Sequence, residues 1–67
     1  MKNRIKVERA ILNITQEELA HRIGVSRQTI NSIEKERYVP STLLALKMSD
    51  VFGKPVNEIF SLDKSDE

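Results

Sequence analysis

Residues 15–34 hold the feature that most limits the fold, two short helix-forming segments on either side of a three-residue turn, Gly24-Val25-Ser26. The first segment opens on a capping box, Thr15-Gln16-Glu17-Glu18, in which the hydroxyl and the last carboxylate each accept a hydrogen bond from the other residue's backbone amide. The glycine ends this segment because glycine adopts a positive φ readily. The serine is an N-cap for the next segment. These signals predict two helices that meet at an angle, with the valine filling the space between them.

Three more helices are predicted around this pair. In the first helix Ile5, Arg9 and Leu12 share one face, and Asn13 can end the helix in the left-handed conformation. The fourth helix is expected to begin after its N-cap, Ser41, and to run through Phe52, with Gly53 closing it. The fifth is expected to cover Pro55–Phe60.

The chain ends are more polar than the rest. Residues 61–67 are expected to form a polar tail, unless Ser61-Leu62-Asp63 pairs as a short strand with Lys2-Asn3-Arg4. The predicted domain therefore covers residues 1–60. Its expected fold is all-α with five helices, with or without a short two-stranded β-ribbon at the termini.

Length and composition exclude several classes of protein. With 67 residues there is room for one domain. The absence of Cys excludes disulfides, thiol nucleophiles and Cys-bound zinc, and the single His21 is interpreted as a surface residue. No nucleophile–base pair or glycine-rich phosphate loop indicates an enzyme. No apolar run approaches the ~18 residues of a membrane span. We therefore expect a cytoplasmic protein without metal or cofactor.

Charge is distributed unevenly along the chain. The net charge is +1, but residues 1–40 carry eight Lys and Arg against five Glu, and residues 41–67 carry three Lys against five acidic residues. This asymmetry favours one face for a polyanion and another face for a different contact. The alternative is that the acidic tail only aids solubility.

The helix after the turn exposes a distinctive set of polar side chains. Its apolar residues are Ile30 and Ile33 alone, so the helix buries a narrow stripe. The residues suited to base edges are Arg27, Gln28, Thr29 and Asn31. Arg can bind guanine, Gln and Asn can bind adenine, and the Thr methyl can contact thymine. An ordinary solvated face is the alternative, but such faces are usually rich in Glu and Lys. The set therefore predicts a helix that enters the major groove of DNA.

Four stretches together resemble the Cro/C1 (xenobiotic-response-element type) helix-turn-helix family, in particular its small stand-alone prokaryotic regulators. They are Thr15–Ala20, Ile23–Ile30, Ile33–Lys35 and Tyr38–Ser41. The similarity runs from about residue 3 to residue 60. It implies a lambda-repressor-like domain with its helix-turn-helix unit at 15–35 and its recognition helix at 27–35. The implied function is a transcriptional repressor that binds a palindromic double-stranded DNA operator as a homodimer.

The resemblance also implies roles for single residues. Base contacts fall on the four polar residues named above, and contacts to the DNA backbone are expected from Gln16, Ser26, Lys35 and Tyr38. Arg9 and Glu34 match a buried salt bridge between the first and third helices. The residue pattern agrees, because Arg9 lies on the inner face of its helix and Glu34 follows the apolar Ile33.

Three residues depart from the family pattern. Glu36 stands where Gly is frequent, which predicts a strained residue or a different turn after the recognition helix. Val39 replaces a frequent Asn. Glu8 occupies a usually apolar position, which questions which face of the first helix is buried.

A homodimer is expected because two recognition helices about 34 Å apart can read both halves of a palindrome. Phe60 and Leu62 are predicted for its interface, with Leu43 and Leu46 as further candidates; the alternative is that such residues close the monomer core. Two other functions stay open at this point. One is the antitoxin of a toxin–antitoxin pair, which a stable protein partner would favour. The other is a protein-interaction module that keeps the fold without reading DNA.

Overall fold

The computed structural model describes all 67 residues and contains five α-helices in the predicted order. The helices are α1 (Ile5–Leu12), α2 (Gln16–Ile23), α3 (Arg27–Glu34), α4 (Thr42–Phe52) and α5 (Val56–Ile59). Strands β1 (Lys2–Asn3) and β2 (Phe60–Ser61) pair antiparallel, and a 3₁₀ turn covers Lys64–Asp66. The all-α fold with a terminal ribbon is therefore confirmed. None of the helices is long and apolar enough to cross a membrane.

The helix boundaries follow from local hydrogen bonds. The Thr15 hydroxyl accepts a hydrogen bond from the Glu18 amide at 3.0 Å, and the Glu18 carboxylate accepts one from the Thr15 amide at 3.3 Å. Gly24 ends α2 with a φ of 75°, and Ser26 caps α3 by accepting from the Thr29 amide at 3.1 Å. These contacts set the start and end of α2 and the start of α3.

An apolar core connects the helices. Its buried members are Ile5, Ile14, Leu19, Ala20, Ile23, Ile30, Ile33, Met48, Phe52, Ile59 and Phe60. Helix α3 contributes Ile30 and Ile33, as predicted, and Val25 packs partly buried against the same core. Apart from this stripe and Glu34, the side chains of α3 are exposed or partly buried.

The buried face of α1 differs from the prediction. Leu12 is 41% exposed, whereas Glu8 is only 2% exposed. The Lys54 Nζ lies 2.9 Å from a Glu8 carboxylate oxygen, so the inward position carries a compensated charge. Ile14 enters the core just after the helix, because Asn13 turns the chain in the left-handed conformation with a φ of 57°.

The C-terminal helix is shorter than predicted. Pro55 is its N-cap and not its first helical residue, and Phe60 leaves the helix with an extended backbone that begins β2. In the ribbon Asn3 faces Phe60 and Lys2 faces Ser61, so the C-terminal strand starts one residue earlier than expected. Phe60, predicted for a dimer interface, is 6% exposed and belongs to the monomer core.

Asn3 joins the ribbon to α3. Its Nδ2 donates to the Ile33 carbonyl oxygen at 2.8 Å, and its Oδ1 accepts from the Ile5 amide at 3.2 Å. Close by in the fold, the Arg4 amide donates to the Ile59 carbonyl oxygen at 2.8 Å. The end of α3, the start of α1 and the end of α5 are thereby held together.

Candidate nucleic-acid interface

The second helix of the α2–α3 pair presents a polar face. Arg27 and Gln28 are exposed near its N-terminus, while Thr29 and Asn31 are partly buried. Ser26 and Thr29 share a hydrogen bond between their hydroxyls at 2.9 Å, which holds the Thr29 side chain against the cap. The four side chains predicted to read bases therefore lie on one helix, with the first two most accessible.

Gln16 links the two helices of this pair. Its Nε2 lies 3.4 Å from Asn31 Oδ1 and 3.3 Å from Glu34 Oε1. Both acceptors belong to α3, while Gln16 is the first residue of α2. This side chain thus orients Asn31 and still lies beside the outer face of α3.

Glu34 is held in turn by α1. Arg9 Nε lies 2.7 Å from Glu34 Oε2, and Arg9 Nη2 lies 3.1 Å from Glu34 Oε1, a two-pronged ion pair between largely buried side chains. The remaining guanidinium nitrogen, Nη1, donates to the Ile14 carbonyl oxygen at 3.2 Å. This is the pair expected from the sequence. Each charge has its partners, so the contact connects α1 to the end of α3 without leaving a bare ion.

Two shallow depressions meet at Arg9 and Gln16. One is lined by Arg9, Ala10, Asn13, Ile14, Thr15, Gln16, Glu17 and Arg27. The other is lined by Lys6, Arg9, Gln16, Asn31, Glu34 and Lys35. None of the four ion pairs of the protein involves Arg27, Lys6 or Lys35. These three cations are therefore available to an anionic ligand on either side of Gln16.

The loop after α3 adds a third depression. It is lined by Ser26, Gln28, Thr29, Ser32, Arg37 and Tyr38. Tyr38, predicted from the resemblance, is exposed there. Arg37 was not singled out by the sequence analysis, because a single Arg in a polar loop carries no periodic signal. Its position beside Gln28 shows only in the folded chain.

Glu36 sets the course of this loop. It has a φ of 62°, so the position where Gly is frequent in the family carries a strained residue here. The Glu36 amide donates to the Ile33 carbonyl oxygen at 2.9 Å, and the Arg37 amide donates to the Ser32 carbonyl oxygen at 2.9 Å. The chain reverses after α3 in this way and returns Arg37 and Tyr38 toward Ser26.

No group of three or more His, Cys, Asp and Glu side chains could hold a metal ion. His21 is exposed beside Glu17, Glu18 and Arg22, on a separate depression of α2. The polar groups that share one surface belong to α3, to the start of α2 and to the loop after α3.

Comparison with known proteins agrees with this geometry. A helix-turn-helix family model matches residues 5–59. An uncharacterized HTH-type transcriptional regulator of Methanocaldococcus jannaschii is 53% identical over 60 residues, which is 90% of this chain and 91% of that protein. One from Archaeoglobus fulgidus is 48% identical, over 98% of this chain and 93% of its own length. The uncharacterized HTH-type transcriptional regulator YgzD of Bacillus subtilis is 45% identical, over 96% of this chain and 97% of its own length.

Proposed function

This chain belongs to the helix-turn-helix family, and from that premise we propose that it is a sequence-specific, DNA-binding transcription regulator and not an enzyme. The relatives of similar length are named as HTH-type transcriptional regulators. The observation that carries the proposal is the exposed, unpaired Arg27 beside Gln28 at the start of α3. Such side chains at that end of a recognition helix reach base edges in the major groove.

We assign direct base contacts to Arg27, Gln28, Thr29 and Asn31. Arg27 suits guanine, since a guanidinium can donate to O6 and N7 together. Gln28 and Asn31 suit adenine, and the Thr29 methyl suits thymine. The held hydroxyl of Thr29 and the Gln16 contact to Asn31 support this assignment, because side chains fixed before binding lose less conformational entropy on binding.

Backbone contacts are assigned to Gln16, Ser26, Lys35 and Tyr38. All four line the depressions beside α3, and Lys35 is exposed without an ion pair. Such contacts set the orientation of the protein on the duplex, whereas the base contacts set the sequence.

We further propose that the protein acts as a homodimer on a palindromic operator and represses by occupying it. One recognition helix reads only a few base pairs, whereas two helices one DNA turn apart read both half-sites. With Phe60 in the core, the exposed apolar residues for this contact are Leu62, 69% exposed, and Leu43 and Leu46 on α4.

The function is tested by selecting bound genomic fragments with the purified protein and with Arg27→Ala, Gln28→Ala and Arg22→Ala. Arg22→Ala is the matched control, because Arg22 is exposed on α2 beside His21. We expect an inverted repeat with half-sites about one turn apart, changed at separate positions by the first two variants and unchanged by the third. No enriched sequence with any of the proteins would reject the proposal, and a co-purifying protein partner would then be sought.

The dimer is tested by sedimentation equilibrium of the wild type and of Leu62→Asp. We expect wild-type dimers that dissociate in the variant, because a carboxylate at an apolar contact loses its hydration. A wild type that stays monomeric, both free and on operator DNA, contradicts the homodimer.

A further inference from the structure

Helix α1 presents two different exposed sides. Val7 and Ile11 lie on one side, and Lys6 and Ala10 lie on the other. Lys6 lines the same depression as Gln16, Asn31 and Lys35. Lys6 of α1 therefore lies on the same surface as Asn31, a proposed base contact, and Lys35, a proposed backbone contact.

The residues that line this depression carry a net positive charge. Its one acidic member, Glu34, has both carboxylate oxygens engaged by Arg9, and one of them also by Gln16. The Arg9 guanidinium is used by Glu34 and by the Ile14 carbonyl oxygen. The ammonium groups of Lys6 and Lys35 take part in no ion pair. Two uncompensated positive charges, those of Lys6 and Lys35, therefore remain among its lining residues.

We propose that Lys6 is a DNA-phosphate contact, so that α1 binds the backbone together with α2 and α3. This inference rests on the proposed DNA-binding function. The depression lies beside Asn31, so a phosphate seated there belongs to DNA whose bases α3 reads. Lys6 and Lys35 hold that phosphate on one side of Gln16, and Arg27 lies toward the other side. A lysine is a point charge, so the contact adds affinity without sequence preference.

The test measures how operator affinity depends on salt for the wild type, Lys6→Gln and Lys64→Gln. Each phosphate contact contributes about 0.9 to the slope of log K against log salt. We expect Lys6→Gln to lower the magnitude of this slope by about 0.9, on the operator and on unrelated DNA alike. Between 50 and 200 mM salt, the factor by which the affinity of Lys6→Gln falls is then roughly one third of the factor for the wild type. Lys64→Gln removes the same charge from the exposed C-terminal 3₁₀ turn and is expected to leave the slope unchanged.

Two further variants separate the possible outcomes. Lys6→Arg keeps the charge and is expected to restore the wild-type slope. Gln28→Ala is expected to weaken operator binding at an unchanged slope, because it removes a base contact. A Lys6→Gln slope equal to that of the wild type, with the operator still bound specifically, overturns the role of Lys6 alone. Failure of the wild type to bind any DNA sequence specifically overturns the proposed function itself.

Discussion

Lys54 Nζ lies 2.9 Å from a carboxylate oxygen of Glu8, across 46 residues of sequence, and the two side chains differ sharply in exposure. The Lys54 side chain is 38% exposed, and the Glu8 side chain is 3% exposed. The glutamate therefore depends on the lysine more than the lysine depends on the glutamate. Arg4 approaches the same carboxylate only to 4.0 Å from an exposed position, so it compensates little.

This asymmetry predicts unequal effects of removing either partner. Lys54→Met leaves a buried carboxylate without its main partner and is expected to lower the free energy of unfolding by about 1–3 kcal/mol. Glu8→Leu leaves a lysine that can reach water and is expected to cost less. Urea unfolding of both variants measures the difference, with Lys64→Met as the surface control. Equal losses, or a larger loss in Glu8→Leu, contradict the interpretation.

Removing Glu34 is expected to destabilise the protein strongly. Glu34→Ala leaves the Arg9 guanidinium with only the Ile14 carbonyl oxygen, so the free energy of unfolding should fall by about 3 kcal/mol. Glu17→Ala removes an exposed carboxylate from the first turn of α2 and should cost less than about 1 kcal/mol. The measurement is urea unfolding, and a similar cost for the two variants argues against a structural role for the ion pair.

Glu36 offers a stabilising substitution. A φ of 62° costs a non-glycine residue about 1–2 kcal/mol of conformational strain. Glycine removes this strain, but part of the gain is offset because glycine loses more conformational entropy on folding. Glu36→Gly is therefore expected to raise the melting temperature by a few degrees. Lys35→Gly is the matched control, because Lys35 has a φ of −83° and gains nothing from glycine. A lower melting temperature in Glu36→Gly would show that the Glu36 side chain has a stabilising role of its own.

The ion pair between the two chain termini is expected to stabilise the fold only within a certain pH range. The Met1 ammonium lies 3.0 Å from an Asp66 carboxylate oxygen, and this hydrogen bond raises the pKa of the amine above its ordinary 8.0. The Asp63 amide and then the Met1 ammonium lower the pKa of Asp66 below 3.8. The stabilisation from the amine is complete below pH 8.0 and is lost as pH rises through its raised pKa. That from Asp66 is present above pH 3.8 and is lost as pH falls through its lowered pKa.

Titration of the Met1 amine by NMR checks this window. In Asp66→Asn the pKa of the amine is expected to move back toward 8.0, because its hydrogen-bonded carboxylate is gone. Glu67→Gln removes a neighbouring charge that makes no such bond and is expected to leave the pKa nearly unchanged. An unaltered pKa in Asp66→Asn is the result that the terminal ion pair does not allow.

The elements predicted from sequence are those set by short-range chemistry. The capping box at Thr15, the turn at Gly24 and the N-caps at Ser26 and Ser41 each need only residues four or fewer positions away. Such signals lie within the sequence itself. They placed α2, α3 and α4 closely, Asn13 marked the end of α1, and α5 proved shorter than predicted.

The errors lie where distant residues decide. Leu12 and Glu8 exchange their expected roles because Lys54, far along the chain, compensates the buried carboxylate. Phe60 is a core residue because its pairing with Asn3 draws it out of α5. The roles of the base-reading residues stay predictions, since what they contact lies outside the chain. Lys6 and Arg37 were missed because folding alone brings them beside the other polar residues.

Asn3 belongs to two parts of the molecule at once. Its backbone pairs with the C-terminal strand, and its side chain donates to the Ile33 carbonyl oxygen near the end of α3. Opening the ribbon therefore removes a hydrogen bond from α3, so the free energy of opening the ribbon and that of opening the end of α3 are not independent. Such coupling is reciprocal. Whatever stabilises the end of α3 also protects the ribbon amides from exchange, so hydrogen exchange at the chain termini reports on the stability of α3.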